Sequence, residues 1–227
     1  MKERGENMAQ SVTTRKETSY LLIKKAILSG ELKPGDTINE KRFVSELGFS
    51  RTPVREALTQ LSSEGLVEIQ PSRGMSVSRI SVSEVKMLYQ TRFLIEPFLA
   101  GKAAENPDKN ILDGFSDRFS HTIQSSYLED GSDLDNEFHS YLASCTGNPF
   151  LIKIESNLMA KCQMVRLLSS RRIQERANEA REEHLAIIKA IEEGDKEASQ
   201  QAMRSHLESS LAGYRKIFTS FDSFDFA

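Results

Sequence analysis

Gly48–Gly65 reads GFSRTPVREALTQLSSEG. Val54, Ala57, Leu58 and Leu61 recur at the three- and four-residue intervals that gather apolar groups on one face of a helix. Ser50 or Thr52 can cap its start, and Pro53 is tolerated there because first-turn N–H groups have no intrahelical partner. Arg51 and Arg55 lie four residues apart, on one face and away from the apolar stripe. Such a face is either a capped, solvated surface or one that meets anions. Arginine forks onto guanine or phosphate, and the hydroxyls and free N–H groups of a helix start hold backbone phosphates. The flanking sequence decides between the two.

Upstream, Tyr20, Leu22, Ile23, Ile27 and Leu28 repeat at helical spacing between Ser19 and Gly30, and Lys33-Pro34-Gly35 makes a turn. A short helix follows, with Asn39 at its N-cap, Phe43, Val44 and Leu47 inward, and Gly48 at its end. Downstream of Gly65 the period drops to two. Val67 and Ile69 alternate with Glu68 and Gln70, Pro71-Ser72-Arg73-Gly74 turns, and Met75 and Val77 alternate with Ser76 and Ser78. Three helices and a hairpin make a winged helix-turn-helix, with the helix from Ser50 as its recognition helix.

Tyr20–Ile80, and above all ILSGELKPGDTINEKRFVSELGFSRTPVREALTQLSSEGLVEIQPSRGMSV, resembles the N-terminal domain of GntR-type bacterial transcription regulators. The likeness rests on the turn at Gly30, Pro34 and Gly35, the run Ser-Arg-Thr-Pro-Val-Arg-Glu-Ala-Leu and the Arg-Gly wing tip. It implies that Lys41, Ser50, Arg51, Thr52 and Arg55 contact operator DNA and that Arg73 and Gly74 approach the minor groove. A winged helix used for protein contact is the alternative.

The 227 residues carry a formal net charge of −3, which by itself argues against a nucleic-acid partner. The charge is unevenly placed: residues 1–80 hold 13 Lys+Arg against 10 Asp+Glu, and residues 81–227 hold 17 against 23. Phosphates would therefore dock on the N-terminal third. Cys145 and Cys162 form no metal-type pair and do not suggest a disulfide scaffold. MKERGENMAQSVTT has no apolar signal-like core, and no stretch approaches the roughly 18 apolar residues of a membrane span. The expectation is a soluble cytoplasmic protein with a disordered segment at 1–14, a DNA-binding domain at 15–80, a helical domain at 81–218 and a Phe-rich tail at 219–227.

Beyond residue 80 the pattern is helical throughout. It predicts helices over Val82–Glu105, Lys109–Leu128, Ser132–Ser144, Pro149–Leu168, Ile173–Glu193 and Lys196–Phe218, packed as an antiparallel bundle of six to seven helices. Pro97 is placed to kink the first. The fold class is thus mainly α, a winged helix-turn-helix followed by an all-α bundle.

The chain has four histidines. Asp135 and His139 fall four residues apart in DNEFH, so both reach one point from one helix face. His184 lies ten residues before Gly194 and His206 twelve after it. At about 1.5 Å per residue the two sit at nearly the same height on a helical hairpin. Three imidazoles and a carboxylate suit zinc first, with nickel, manganese or iron as alternatives, and leave positions open for water or a ligand. Any one of these histidines alone would be read as an ordinary helical polar residue.

LYQTRFLIEP, LDNEFHSYLASCTGNPFL, EEHLAIIKAIEEGD and AMRSHLESS resemble the FCD ligand-binding domain of the FadR subfamily. In its metal-binding branch an Asp-x-x-x-His pair and two later histidines ligate a divalent ion, and Asp135, His139, His184 and His206 match all four positions. His121 matches none and is expected at the surface or in packing. Family members commonly bind small carboxylates between the metal and nearby arginines. Arg92 matches such an arginine, and Arg166 is a second candidate on geometry. The competing expectation for Arg92 is an ion pair with Glu96 on an exposed face.

The resulting expectation is a homodimeric regulator, more often a repressor, that reads an inverted repeat and senses a small organic acid through a bound metal. A metal-dependent enzyme with a DNA-binding appendage and a direct metal sensor are the alternatives. No clear general base stands beside the proposed ligands to favour the enzyme.

Overall fold

Thr14 Oγ1 accepts the Glu17 N–H at 3.1 Å and starts α1, Arg15–Leu28. The helix thus begins four residues before the Ser19 expected from apolar spacing. Its first turn is polar, stabilised by the cap and by Glu17 beside the positive helix end, neither of which a hydrophobic period registers. The computed structural model describes residues 13–71, 74–121, 132–168 and 170–218. The N-terminal residues 1–12, the wing-tip Arg73, the expected continuation of a helix to Leu128 and the Phe-rich tail all lie outside the described residues.

Contacts divide the chain into two compact units, Met1–Ser78 and Arg79–Ala227. In the first, α2 (Glu40–Leu47) starts at Asn39, whose side chain accepts the Lys41 N–H at 3.1 Å, and stops at Gly48 with φ 64°, a left-handed geometry that glycine adopts without a Cβ penalty. The recognition helix α3 (Arg51–Ser63) buries Val54, Ala57, Leu58 and Leu61. The wing pairs β1 (Val67–Gln70) antiparallel with β2 (Gly74–Val77), Val67 opposite Val77 and Gln70 opposite Gly74.

A third segment joins the wing. Ile38 N–H donates to Met75 O at 2.8 Å, Val77 N–H to Asp36 O at 2.9 Å, and Thr37 bridges Ser76. The turn after α1 is therefore tied to the wing, a pairing that no local pattern discloses because it joins residues far apart in sequence.

The second unit begins with α4 (Val82–Glu105), opened by a capping box in which Glu84 N–H meets Ser81 Oγ at 3.2 Å and Ser81 N–H meets Glu84 Oε2 at 2.8 Å. This helix runs unbroken through Pro97. There follow α5 (Lys109–His121), α6 (Ser132–Ser144), α7 (Pro149–Leu168), α8 (Ser170–Glu192) and α9 (Lys196–Phe218). Gly194, at φ 70°, ends α8, and its N–H returns to Ile191 O at 3.0 Å. Helices α4, α8 and α9 pack around a core that includes Tyr89, Leu99, Ile187, Ile191, Met203 and Leu207, with Phe119 and Phe138 closing it from α5 and α6. Among the described residues no helix is long and apolar enough to cross a membrane.

Candidate nucleic-acid interface and metal centre

The start of α3 leaves its polar groups unspent. Ser50 stands at the N-cap with extended backbone, yet its hydroxyl makes no cap hydrogen bond. Arg51 and Thr52 are exposed, and among the described residues no carboxylate pairs with Arg51 or with the exposed Lys41. Arg55 is also exposed, and its Nε donates to Glu40 Oε2 at 2.9 Å. That exposed pair contributes little stability but orients the guanidinium along the face it shares with Arg51. Lys16, Arg51, Thr52, Arg55, Glu56 and Thr59 line one open groove. Gly74 is exposed at φ 82°, at the described end of the wing.

In the helical unit, α6, α8 and α9 bring Asp135, His139, His184 and His206 together, all buried, with one potential ligand atom from each within 4.8 Å of every other. The imidazole centroids lie 4.5 Å apart for His184 and His206, 5.5 Å for His139 and His206, and 5.7 Å for His139 and His184. Phe119 stacks on His184 at 4.5 Å and 7°. His121 is exposed, its Nδ1 bonded to Asp117 O at 2.7 Å.

The cluster is supported from behind. His206 Nδ1–H donates to Glu183 Oε2 at 2.8 Å, which leaves Nε2 for a ligand, and Arg176 Nη2 in turn donates to Glu183 Oε1 at 2.8 Å. His139 Nδ1 lies 3.0 Å from Glu96 Oε2, and Glu96 is gripped by Arg92 through Nε and Nη2. Arg166 donates to Asp135 Oδ2, to Asn136 Oδ1 and, at 3.1 Å, to Gln163 Oε1. Carboxylates behind imidazoles fix the ring tautomer and raise ligand basicity, the usual surroundings of a metal-binding histidine.

The donors also fit an ion chemically. Neither ring nitrogen of His139 or His184 has the geometry of a hydrogen bond to a protein partner, although all four are buried. His184 Nε2 and Asp135 Oδ1 approach to 3.2 Å without that alignment. Buried polar atoms are normally satisfied, so lone pairs converging on one point without donors are what a cation would complete. Ligand atoms around an ion at 2.0–2.2 Å stand at most about 4.4 Å apart, within a small side-chain movement of this arrangement.

Electrostatics keep the donors in binding form. Burial pushes the His206 imidazole down to about 3, helped by the neighbouring His184 and opposed by Glu183. Burial lowers His184 as well, against the pull of Asp135. Both rings thus stay neutral, as ligation requires. Burial would raise the Asp135 carboxyl, but Arg166 and the contacts to His184 and His139 outweigh it and hold the group well below the usual carboxylate range. Glu96 follows the same pattern, with burial overcome by Arg92 and His139 to about 2.

Two expectations change at this site. The Arg92–Glu96 pair exists, but it is buried beneath His139 and not on an exposed face, because α4 turns this side toward α6 and α9. Both arginines are engaged: all three nitrogen positions of Arg166 bond to Asp135, Asn136 and Gln163, whereas Arg92 keeps Nη1 clear of Glu96. The supporting Glu183 and Arg176 were not singled out in the sequence, although Glu183 directly precedes His184. Glu155 on α7 was missed too. It is fully buried, neither carboxylate oxygen has a partner, and burial, then the charge of Glu96, pushes its carboxyl well above the usual range.

A winged helix with free cations on its recognition helix, followed in the same chain by a helical unit with a buried donor cluster, defines a DNA-binding regulator with a second, ligand-type domain. Residues 15–77 match the bacterial regulatory proteins of the gntR family and residues 87–209 match the FCD domain, and the chain belongs to the GntR family of transcription regulators that carry an FCD domain. It is 28% identical over 201 residues to the HTH-type transcriptional repressor RspR of Escherichia coli, spanning 87% of this chain and 88% of that protein. It is 27% identical over 239 residues to the HTH-type transcriptional repressor NanR of Klebsiella aerogenes, spanning 94% and 91%. The solved structure of E. coli McbR/YncC shares the fold, with a TM-score of 0.76 at 21% identity over 90% of this chain and 99% of that one. The protein is a DNA-binding regulator and not an enzyme.

Proposed function

We propose that this regulator is a repressor of the FadR subfamily, whose operator affinity responds to a small carboxylate captured at a divalent metal held by Asp135, His139, His184 and His206. The convergence of those four buried donors, two of them with no hydrogen-bonded ring nitrogen, is the observation that carries the reading. FCD domains often bind metals. Bound there, an ion supplies positive charge and open coordination positions for an anionic group. Zinc suits the nitrogen-rich donor set first, and nickel, manganese or iron would also be accepted.

Arg92 Nη1, the guanidinium nitrogen that Glu96 leaves unbonded, is the second anchor for the effector. Arg166 acts one step back by fixing Asp135. On this reading residues 15–80 read the operator through Lys41, Ser50, Arg51, Thr52 and Arg55, with the wing at Arg73 and Gly74, while residues 81–218 sense and dimerise. The protein works in the cytoplasm, where its two free cysteines stay reduced.

Fluorescence anisotropy on operator DNA tests the coupling. At least one metabolite carboxylate is expected to shift the affinity of metal-loaded protein by about fivefold or more, the lower end of ordinary allosteric coupling. The shift should vanish after chelation. A shift that survives chelation removes the metal from the mechanism, and a shift caused by metal alone makes the protein a direct metal sensor.

Dimerisation has its own support. Met87, Leu94 and Phe98 are 55%, 81% and 45% exposed and fall on one stripe of α4, an apolar surface suited to a two-fold contact. Light scattering is expected to give a dimer without DNA, and Leu94→Glu a monomer at micromolar concentration. A monomeric native protein, or an unaffected variant, would remove this face from the assembly.

A further inference from the structure

Glu155 is the one fully buried carboxylate beside the donor cluster that no protein group answers. Its two oxygens are enclosed and lack hydrogen-bond partners, and one of them lies within 4.8 Å of a carboxylate oxygen of Glu96 and a ring nitrogen of His139. The other acidic groups here are engaged: Glu96 by Arg92, Asp135 by Arg166 and Glu183 by Arg176. A carboxyl group placed in this way is costly unless something else completes it.

A second divalent ion held by Glu96, His139 and Glu155 is one solution, but the charges oppose it. With Glu155 ionised, Asp135, Glu96 and Glu155 set against Arg92, Arg166 and one divalent ion leave a single positive charge, since Glu183 and Arg176 cancel. One effector carboxylate neutralises it. A second divalent ion, or an ammonium group on the effector, would restore uncompensated charge in a buried site, at high desolvation cost. A hydroxyl group adds none. It also donates and accepts, so it pairs with a carboxyl group in either protonation state.

We infer that Glu155 reads a hydroxyl group on the effector, which makes the effector a hydroxycarboxylate and not a plain carboxylic acid. The inference rests on the metal-centred carboxylate site proposed above. A polar group buried to bond a ligand hydroxyl rejects the analogue that lacks it, because that analogue leaves the group unpaired.

The test uses full-length, metal-loaded protein and three matched pairs of probes: propionate with lactate, butyrate with 3-hydroxybutyrate, and succinate with malate. Calorimetry is expected to show at least one hydroxylated member binding about tenfold or more tightly than its partner. In Glu155→Met, which removes both oxygens at similar volume, that ratio should fall to about one, whereas Glu155→Gln, which keeps a donor and an acceptor, should retain a preference. Melting of the metal-free protein provides a separate readout: Glu155→Met should melt about 2–4 °C higher or more, because it removes an unanswered buried carboxyl group. Equal binding within every pair, or a ratio unchanged in Glu155→Met, overturns the role of Glu155 while leaving the carboxylate site standing. If none of the six acids binds protein that elemental analysis shows to be metal-loaded, the carboxylate site falls and this inference falls with it.

Discussion

His184→Ala and His206→Ala should each strip the protein of its divalent ion: elemental analysis is expected to find close to one ion per chain in the native protein and about a tenth of that or less in either variant. Asp135 and His139 come from α6, His184 from α8 and His206 from α9, so an ion here closes contacts among three helices at once. Removing one of four donors leaves a three-donor set in which Asp135 is still held by Arg166, and affinity falls steeply. Because the ion binds the folded state, its loss also removes stability: at a free concentration of about a thousand times the dissociation constant, the linkage is worth about 4 kcal/mol.

Chelator should therefore lower the melting temperature of the native protein and leave both variants unchanged. His121→Ala, on an exposed histidine outside the cluster, is the control that keeps its ion. Glu183→Gln, behind His206, should weaken metal binding by about 10–100-fold without abolishing it, as outer-shell partners do. Histidine variants that keep a full complement of metal would place the ion elsewhere.

The second large effect lies on α3. Arg51→Ala and Arg55→Ala should each weaken specific operator binding by about 1–3 kcal/mol, since a well-placed arginine fork contributes that much discrimination. Both side chains are exposed and carry none of the core, so melting should not move. Arg51 has no carboxylate partner among the described residues and is free to bond on arrival, whereas Arg55 must exchange Glu40 for DNA. That exchange is inexpensive because an exposed ion pair is worth at most about 1 kcal/mol. Anisotropy on operator and scrambled duplexes separates the roles: a base contact loses affinity only for the operator, and a phosphate contact loses it for both and lowers the salt slope by about one. Unchanged operator affinity in both variants would mean that α3 does not enter the groove.

What was legible in the sequence is what a single element determines by its own periodicity. Val54, Ala57, Leu58 and Leu61 specify α3 and, by exclusion, the face that carries Arg51 and Arg55, and the structure buries those four residues. The alternation after Gly65 specifies the wing strands. Counting from Gly194 placed His184 and His206 at one level, and their rings stand 4.5 Å apart, because rise per residue is a constant of the helix and a tight hairpin preserves it. Asp135 and His139 were linked by the same regularity within one turn of α6.

Tertiary structure alone decided what faces that cluster from other helices. The spacing of Arg92 and Glu96 discloses an ion pair but not its burial, which depends on how α4 turns toward α6 and α9. Nothing in LIKIES marks Glu155 as buried beside a histidine, for its neighbours Ile152 and Ile154 are the partly exposed ones. The bridge from Thr37 to Ser76 and the hold of Arg166 on Asp135 likewise join residues 39 and 31 positions apart. Height along a helix follows from the backbone repeat, whereas the rotation of one helix against the next is set by side-chain packing across the whole core, and that packing chooses which buried charges meet.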